Sequence, residues 1–485
     1  MNKYKFLAKN TIILAASRFG TKIVVYLLMP IYTRYLTTAE FGTANLITQI
    51  SSLLFALVSM EIAESVFRFS FDKEGDRAEV FSIGLYFTLI GSAIIAILAP
   101  LFYLSGFAFF RENMWLIVSL VATTALIILL NQHLRAKGRF TLFAIKGIVN
   151  TLLVIVFNLT FLILLDMGML GFVLSVIIGN CITIVFVVIV DKTWRDILPP
   201  SKINNSTVKA MLKYSTPLVP TLAFWWVANS SGMFLIRYFV GDDVTGLYTA
   251  ALKIPTLLTI TCNTFFQAWG VSSFAEETEE KRSAFFSRIF GYFQAVLFLA
   301  AVGMVMMSRT IVNFMFDSSF HEAWRFTPLL IISSIFFCLS VFKSSVFMVK
   351  KNSIAPFLTA FAGAVINIIL NLILIPEEFL GITMVGLGGY GAAISAIVSF
   401  IVIYILRSIQ AKNFLKYNQH RAKVAIGAII IIAQAAMTLY SPPWRLAGHF
   451  AAIVLILLLN ASAIIEGVKY VLEKRPRKKR GTDVN

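Results

Sequence analysis

Long apolar runs, separated by short charged or Gly/Pro-containing segments, recur from one end of the chain to the other. Each is close to the roughly 20 residues that a helix needs to cross the ~30 Å hydrocarbon core of a bilayer. The pattern predicts spans at 11–33, 41–69, 78–104, 114–134, 140–165 and 168–190, then at 208–238, 245–275, 284–307, 326–349, 354–375 and 383–406, and finally at 422–440 and 446–468. Membrane β-strands would alternate apolar and polar residues over about ten positions. These runs are continuous, so the expected fold is all-α: a polytopic membrane protein of about 14 transmembrane helices.

Composition agrees. Of 485 residues, 58% are hydrophobic and 14% charged, and the mean hydropathy is +0.83, whereas soluble domains are about a quarter charged. The net charge of +18 is dispersed over the segments between spans, which argues against nucleic acid as a partner. Cys181, Cys262 and Cys338 each lie inside an apolar run, so buried packing is expected of all three. His133, His321, His420 and His449 have no second ligand at metal spacing, and neither a metal nor a cofactor is expected. The start, MNKYKFLAKN, is charged like that of a signal peptide, but the following run is long, carries Arg18 and Lys22, and has no small-residue cleavage site. It reads as a retained first helix.

The basic residues of the loops sort by side. One side holds clusters such as Lys3, Lys5 and Lys9, Arg135, Lys137 and Arg139, Lys350 and Lys351, and the tail from Lys469 to Arg480; the other holds only Arg34, Arg111, Arg237, Arg309, Arg325 and Arg445. Cytoplasmic loops carry the basic excess, which places both termini in the cytoplasm and requires an even number of spans.

Two short motifs recur in order. RYLTTAEFGTANL from Arg34 and RYFVGDDVTGLYTAAL from Arg237 each join the first span of a half to its second, and RAEVFS from Arg77 and RSAFFS from Arg282 each precede the third. Convergent turn chemistry does not explain the shared Arg-Tyr. The expected organisation is an N-terminal six-helix lobe over 1–192, a cytoplasmic linker over 193–207, a second six-helix lobe over 208–407, two additional helices within 422–468, and a basic cytoplasmic tail over 469–485.

Six basic residues remain inside spans: Arg18, Lys22, Lys146, Lys213, Lys253 and Lys343. A charge at the bilayer centre costs about 2.5–3.5 kcal/mol on insertion scales, so such side chains face bundle interiors or aqueous cavities. By helical rise, Arg18 and Lys22 lie roughly 10 and 16 Å from the cytoplasmic start of their span, and share a face. Lys146, Lys213 and Lys343 lie within about 10 Å of cytoplasmic ends, and Lys253 roughly 12 Å from an outer end. With Arg237, they predict a cationic cavity between the lobes that receives an anionic substrate; snorkelling of the lysines to headgroups is the competing reading. Glu61 and Glu64, with Arg68, are expected to form a stripe on the second helix, either pairing with Arg18 or carrying a coupling ion, H+ or Na+. GLGGYG at 386–391 precedes an outer end of a span and reads as a tight turn, not a nucleotide loop. Asn150, Asn158, Asn367 and Asn371 are expected to bond across helix interfaces, and Trp225 and Trp226 to be buried.

The opening KNTIILAASRFGTKIVVYLLMPIYTRYLTTAEFGTANL, the charged turn after Phe67-Arg68-Phe69, and LRAKGRF after the fourth span resemble the polysaccharide flippases of the multidrug/oligosaccharidyl-lipid/polysaccharide exporter superfamily. The resemblance extends over essentially the whole chain. It implies a transporter, not an enzyme, in the bacterial cytoplasmic membrane, whose lobes open alternately to carry a polyprenyl-diphosphate-linked oligosaccharide from the inner to the outer leaflet. It also implies partners among membrane lipids and the polysaccharide polymerase and glycosyltransferases of the same pathway. In the related lipid II flippases, basic residues of the first helix line the cavity, and the matching positions are Arg18 and Lys22; the two additional helices form a groove for the lipid tail. Alternatives are a lipid II-type flippase, a cation-coupled exporter of small molecules, and a membrane-embedded polymerase. Basic residues outnumber the acids inside spans, which disfavours cationic drugs, and the short outer loops hold no carboxylate or His constellation for a polymerase.

Overall fold

The computed structural model describes residues 26–70, 76–103, 108–272, 279–349 and 354–466. Arg18, Lys22, most of the first expected span and the basic tail lie outside them. The helices are α1 (Met29–Tyr35), α2 (Thr38–Ser59), α3 (Ile62–Phe69), α4 (Arg77–Tyr103), α5 (Ala108–Ala136), α6 (Phe140–Leu159), α7 (Gly168–Asp191), α8 (Asn205–Ser215), α9 (Leu218–Phe239), α10 (Asp242–Ser272), α11 (Glu279–Met315), α12 (Thr327–Val349), α13 (Ile354–Leu374), α14 (Gly389–Phe414), α15 (Arg421–Tyr440) and α16 (Arg445–Leu459). Among the described residues, eleven helical segments are long and apolar enough to cross a membrane. The protein is an all-α, multi-pass membrane protein. Of the other expected spans, 245–275 corresponds to α10, and 446–468 to α16, which has 15 residues and is followed by a further helical stretch at 461–466.

The faces of these helices obey the solvent that surrounds them. Along α4, Ile94, Ile97 and Leu101 are exposed, as suits contact with hydrocarbon, while Val80, Phe81 and Ile83 pack inward with Ile62 and Val66 of α3, Leu129 and Leu134 of α5, and Met211 of α8. A second core joins Phe55 of α2 to Ile117 and Val121 of α5 and Val173 of α7. Amides within the apolar helices bond between neighbours: Asn150 donates to Asn180 and Thr183 at 3.1 and 3.2 Å, Asn158 to the Tyr32 hydroxyl at 3.3 Å, and Asn371 to Ser231 at 3.2 Å. Cys262 and Cys338 are buried, but Cys181 is exposed, because its place on α7 turns away from the helix neighbours.

Two expected spans are broken. The run 41–69 ends one helix at Ser59 and starts another at Ile62, with Met60 and Glu61 both left-handed at φ 48° and 52°. For residues with a side chain this conformation costs about 1–2 kcal/mol each. The run 208–238 divides into α8 and α9 at Thr216-Pro217, where a proline cannot donate into the preceding turn. GLGGYG is a turn: Gly386 and Gly388 have φ of 70° and 53°. The amides of residues 385–388 donate to carbonyls of residues 373–376, which caps the end of α13 beside the two-residue strands Glu378–Phe379 and Ile382–Thr383.

The chain forms two compact units. The first comprises Met1–Ala250, Val312–Ala323 and Gly363–Ser395; the second comprises Ala251–Ile311, Trp324–Ala362 and Ala396–Asn485.

Candidate functional site

Within the first unit, acidic and amide side chains gather around the break between α2 and α3. Glu61 occupies the break itself and is 7% exposed. Interruption of the helix turns it inward, whereas Glu64 and Arg68 are exposed, so the three do not form the continuous stripe that an unbroken helix would give. The Glu64 carboxylate accepts from Gln132 Nε2, and the Gln132 carbonyl in turn accepts from Arg135 at 2.7 Å. Arg135 stacks over Phe67 at 4.3 Å. A neutral amide thus relays between a carboxylate on α3 and a guanidinium on α5. One residue before that amide, Asn131 accepts from Lys146 Nζ at 2.7 Å. Lys146 is 6% exposed and forms no ion pair among the described residues. Its ammonium is therefore buried against a neutral partner, where an anion would be attracted strongly.

Toward the Lys/Arg-rich ends of the same helices lies an ion cluster that sequence reading missed. Lys137 Nζ donates to Asp191 at 2.8 Å and to Asp196 at 2.7 Å, His133 Nε2 meets Asp196 at 2.9 Å, and Arg139 approaches Asp191 at 3.5 Å. Burial alone would raise the Asp196 carboxyl, but hydrogen bonds from Lys137 and His133 hold it below its ordinary range. Burial would likewise lower the Lys137 ammonium, and its two carboxylate partners raise it instead. His133, Asp191 and Asp196 have metal-ligand atoms within 4.8 Å of one another, yet the Lys137 ammonium already supplies the cation. The cluster clasps the α5–α6 turn to the end of α7 and the linker. Two acids separated by more than 50 residues from their lysine carry no spacing signal.

On the Lys/Arg-poor side, the two sequence repeats meet within this unit. A Cβ on Gly246 would lie 1.9 Å from the Thr38 carbonyl oxygen, and one on Gly42 would lie 2.8 Å from the Gly246 nitrogen. These are the glycines of the two recurring motifs, and they let the starts of α2 and α10 cross backbone to backbone. Around the crossing, Thr38 donates to Asp243, Arg237 donates to Thr43 at 2.8 Å and to Asp242 at 3.2 Å, and Trp226 Nε1 donates to the Gln49 carbonyl at 2.8 Å. Thr37 and Glu40 close a capping box that starts α2.

The remaining expected residues fall in several places. Arg237 belongs to the repeat crossing and covers Phe109 at 4.7 Å. Lys213 is exposed on α8, and Lys253 is half-buried on α10. Lys343 lies in the second unit, fully buried. Arg18 and Lys22 lie outside the described residues.

Comparison with known proteins gives three findings. A family model described as "Polysaccharide biosynthesis protein" matches residues 7–269. No curated protein matches the sequence. Several solved structures share the fold. The lipid II flippase MurJ in an inward closed conformation has a TM-score of 0.67 at 13% identity, covering 94% of this chain and 99% of that one. An inward-facing multidrug resistance MATE family transporter of the MOP superfamily has a TM-score of 0.63 at 17% identity, covering 82% and 98%. A MOP superfamily transporter from Pyrococcus furiosus, described by a reversed polarity of its binding pocket, has a TM-score of 0.59 at 15% identity, covering 83% and 95%. At these identities, the likeness is one of fold.

Proposed function

Because the chain belongs to the polysaccharide biosynthesis protein family, we propose that it carries a lipid-diphosphate-linked oligosaccharide from the inner to the outer leaflet by alternating access, for assembly of a cell-surface polysaccharide. The observation that carries this reading is Lys146, a buried ammonium whose hydrogen-bond partner is the neutral amide of Asn131. A diphosphate supplies the missing negative charge, and the energy of that pairing is large where water is scarce. Arg18 and Lys22, which lie outside the described residues, are assigned to the same role by the family resemblance of the first helix. Glu61 and Glu64 either balance those cations before substrate arrives or take up a coupling ion; Glu64 already has Gln132 as a partner.

The shared repeat motifs support alternating access. Two lobes of one ancestry have equivalent surfaces with which to meet on either side, and the Gly42–Gly246 crossing is such a contact on the Lys/Arg-poor side.

The test is translocation by the purified protein in liposomes, with a polyprenyl-diphosphate oligosaccharide and lipid II offered separately and inner-leaflet substrate quantified. Lys146→Met, Arg18→Ala and Lys22→Ala should each slow translocation about tenfold or more while leaving the protein folded, as loss of one charge-assisted contact predicts. Full-rate translocation by all three variants would remove the cationic surface from the mechanism, and transport of lipid II alone would replace the substrate assignment.

A further inference from the structure

The second unit contains polar groups whose bonding is incomplete. Lys343, on α12, is fully buried, and its Nζ has no hydrogen-bond partner among the described residues. The ammonium lies 4.1 Å from the ring centre of Phe290, 5.0 Å from that of Tyr417 and 5.5 Å from that of Tyr404. Desolvated cation–π contacts recover only part of what burying an ammonium costs. The aromatic cage therefore compensates the charge only in part. The hydroxyl of Tyr417, on a residue more than nine-tenths buried, also lacks a partner among the described residues, and that of Tyr404 has only the Ser408 hydroxyl within weak bonding range.

Beside this cage, α14 and α15 border a cleft of about 340 Å³. Tyr404, Ser408 and Arg421 line its polar part, and Ile401, Ile405 and Val424 form part of its apolar wall. Arg421 donates to neutral acceptors, the Gln419 side-chain carbonyl at 3.3 Å and the Ser408 backbone carbonyl at 3.2 Å. Among the described residues, no Asp or Glu lines the cleft. Ile405 is 48% exposed, so the apolar wall opens toward hydrocarbon. Donors at one end and aliphatic side chains along the rest fit a molecule with an anionic head and an apolar tail. The last turn of α14, the loop after it and the first turn of α15 carry Lys412, Lys416, Arg421 and Lys423, which assigns this end to the cytoplasmic leaflet, where basic pockets between helices suit anionic headgroups.

We propose that the cleft between α14 and α15 binds a resident anionic phospholipid of the inner leaflet. Its phosphate bonds Arg421 and the Tyr404 hydroxyl, one acyl chain follows the Ile401–Ile405 wall, and its charge balances Lys343. The proposal holds whatever substrate the protein transports.

Native mass spectrometry of the full chain tests it, with phosphatidylglycerol, phosphatidylcholine of the same chains, and inorganic phosphate as probes. The wild type should retain phosphatidylglycerol in preference to phosphatidylcholine and be raised in melting temperature by it, but not by inorganic phosphate. Arg421→Gln should weaken retention about tenfold and Tyr404→Phe about threefold, as loss of a charged and a neutral donor predict. Ile405→Trp, a change on a hydrocarbon-facing position, should obstruct the tail and weaken retention with every polar group intact. Equal retention of the two lipids, stabilisation by inorganic phosphate alone, or unchanged retention by folded Arg421→Gln and Ile405→Trp would each overturn the proposal. So would displacement of phosphatidylglycerol by a polyprenyl diphosphate with the same dependence on the variants, which would assign the cleft to the transported lipid.

Discussion

Gly246→Ala should pry apart the crossing of the two repeats. The added Cβ would stand 1.9 Å from the Thr38 carbonyl oxygen, 2.5 Å from its carbon and 3.0 Å from Cα. All three are backbone atoms, so no side chain can swing away. Restoring ordinary contact near 3.4 Å requires the helices to separate by about 1.5 Å, which takes the 2.8 Å bond from Arg237 to Thr43, and the bond from Thr38 to Asp243, out of reach. Hydrogen bonds to charged groups contribute about 1.5–3 kcal/mol each when buried, and less at this half-exposed place. A loss of about 2–4 kcal/mol shifts a two-state equilibrium about 30- to 1,000-fold away from the state closed on this side. Gly42→Ala is the graded control: its Cβ meets the Gly246 nitrogen at 2.8 Å, so a smaller displacement suffices. Pulsed EPR between spin labels at the exposed Tyr35 and Tyr238 should show a longer distance in Gly246→Ala, an intermediate shift in Gly42→Ala, and a fall in transport in the same order. A wild-type distance distribution and rate in Gly246→Ala would refute the reasoning.

The clasp beneath this lobe gives two expectations. Lys137→Met leaves the fully buried Asp191 carboxylate with Arg139 at 3.5 Å, and should destabilise the protein by about 3 kcal/mol, the low end for a broken buried pair, measured by thermal unfolding in detergent. The pH dependence follows from both partners. Asp196 is held below its ordinary value, so its contribution is complete above about pH 4 and is lost as pH falls through its folded value. Lys137 is held above its ordinary value, so its contribution is complete below about pH 10 and is lost as pH rises through its folded value. The stability gap between wild type and Lys137→Met should therefore stay constant from about pH 5 to 9 and narrow in stronger acid; a gap that varied through neutrality would point to His133 as the controlling group. Asn371→Leu should cost about 1 kcal/mol, in the range of interhelical bonds in membranes, because Ser231 and Asn367 each lose a partner; unchanged unfolding would show that those groups find other partners.

Sequence alone determined the class of this protein. A run of about 20 apolar residues has one low-energy disposition in a bilayer, since hydrocarbon satisfies no backbone group and a helix satisfies its own. The cross-interface role of Asn150 and Asn371 was legible for the same reason: a buried amide in an apolar helix must find a partner. The recurring Arg-Tyr…Gly motif was legible as a repeat, but only tertiary structure revealed its use, because two glycines 204 positions apart become neighbours only where two helices cross. The break at Met60-Glu61 was hidden, since neither residue is a glycine or proline and the apolar pattern continues through it. Lys146 could be singled out as a charge inside a span, yet its neutral partner Asn131 depended on how α5 packs against α6. Hydrophobic periodicity records each helix's contact with solvent or lipid, whereas the pairing of polar side chains depends on long-range packing that no local pattern encodes.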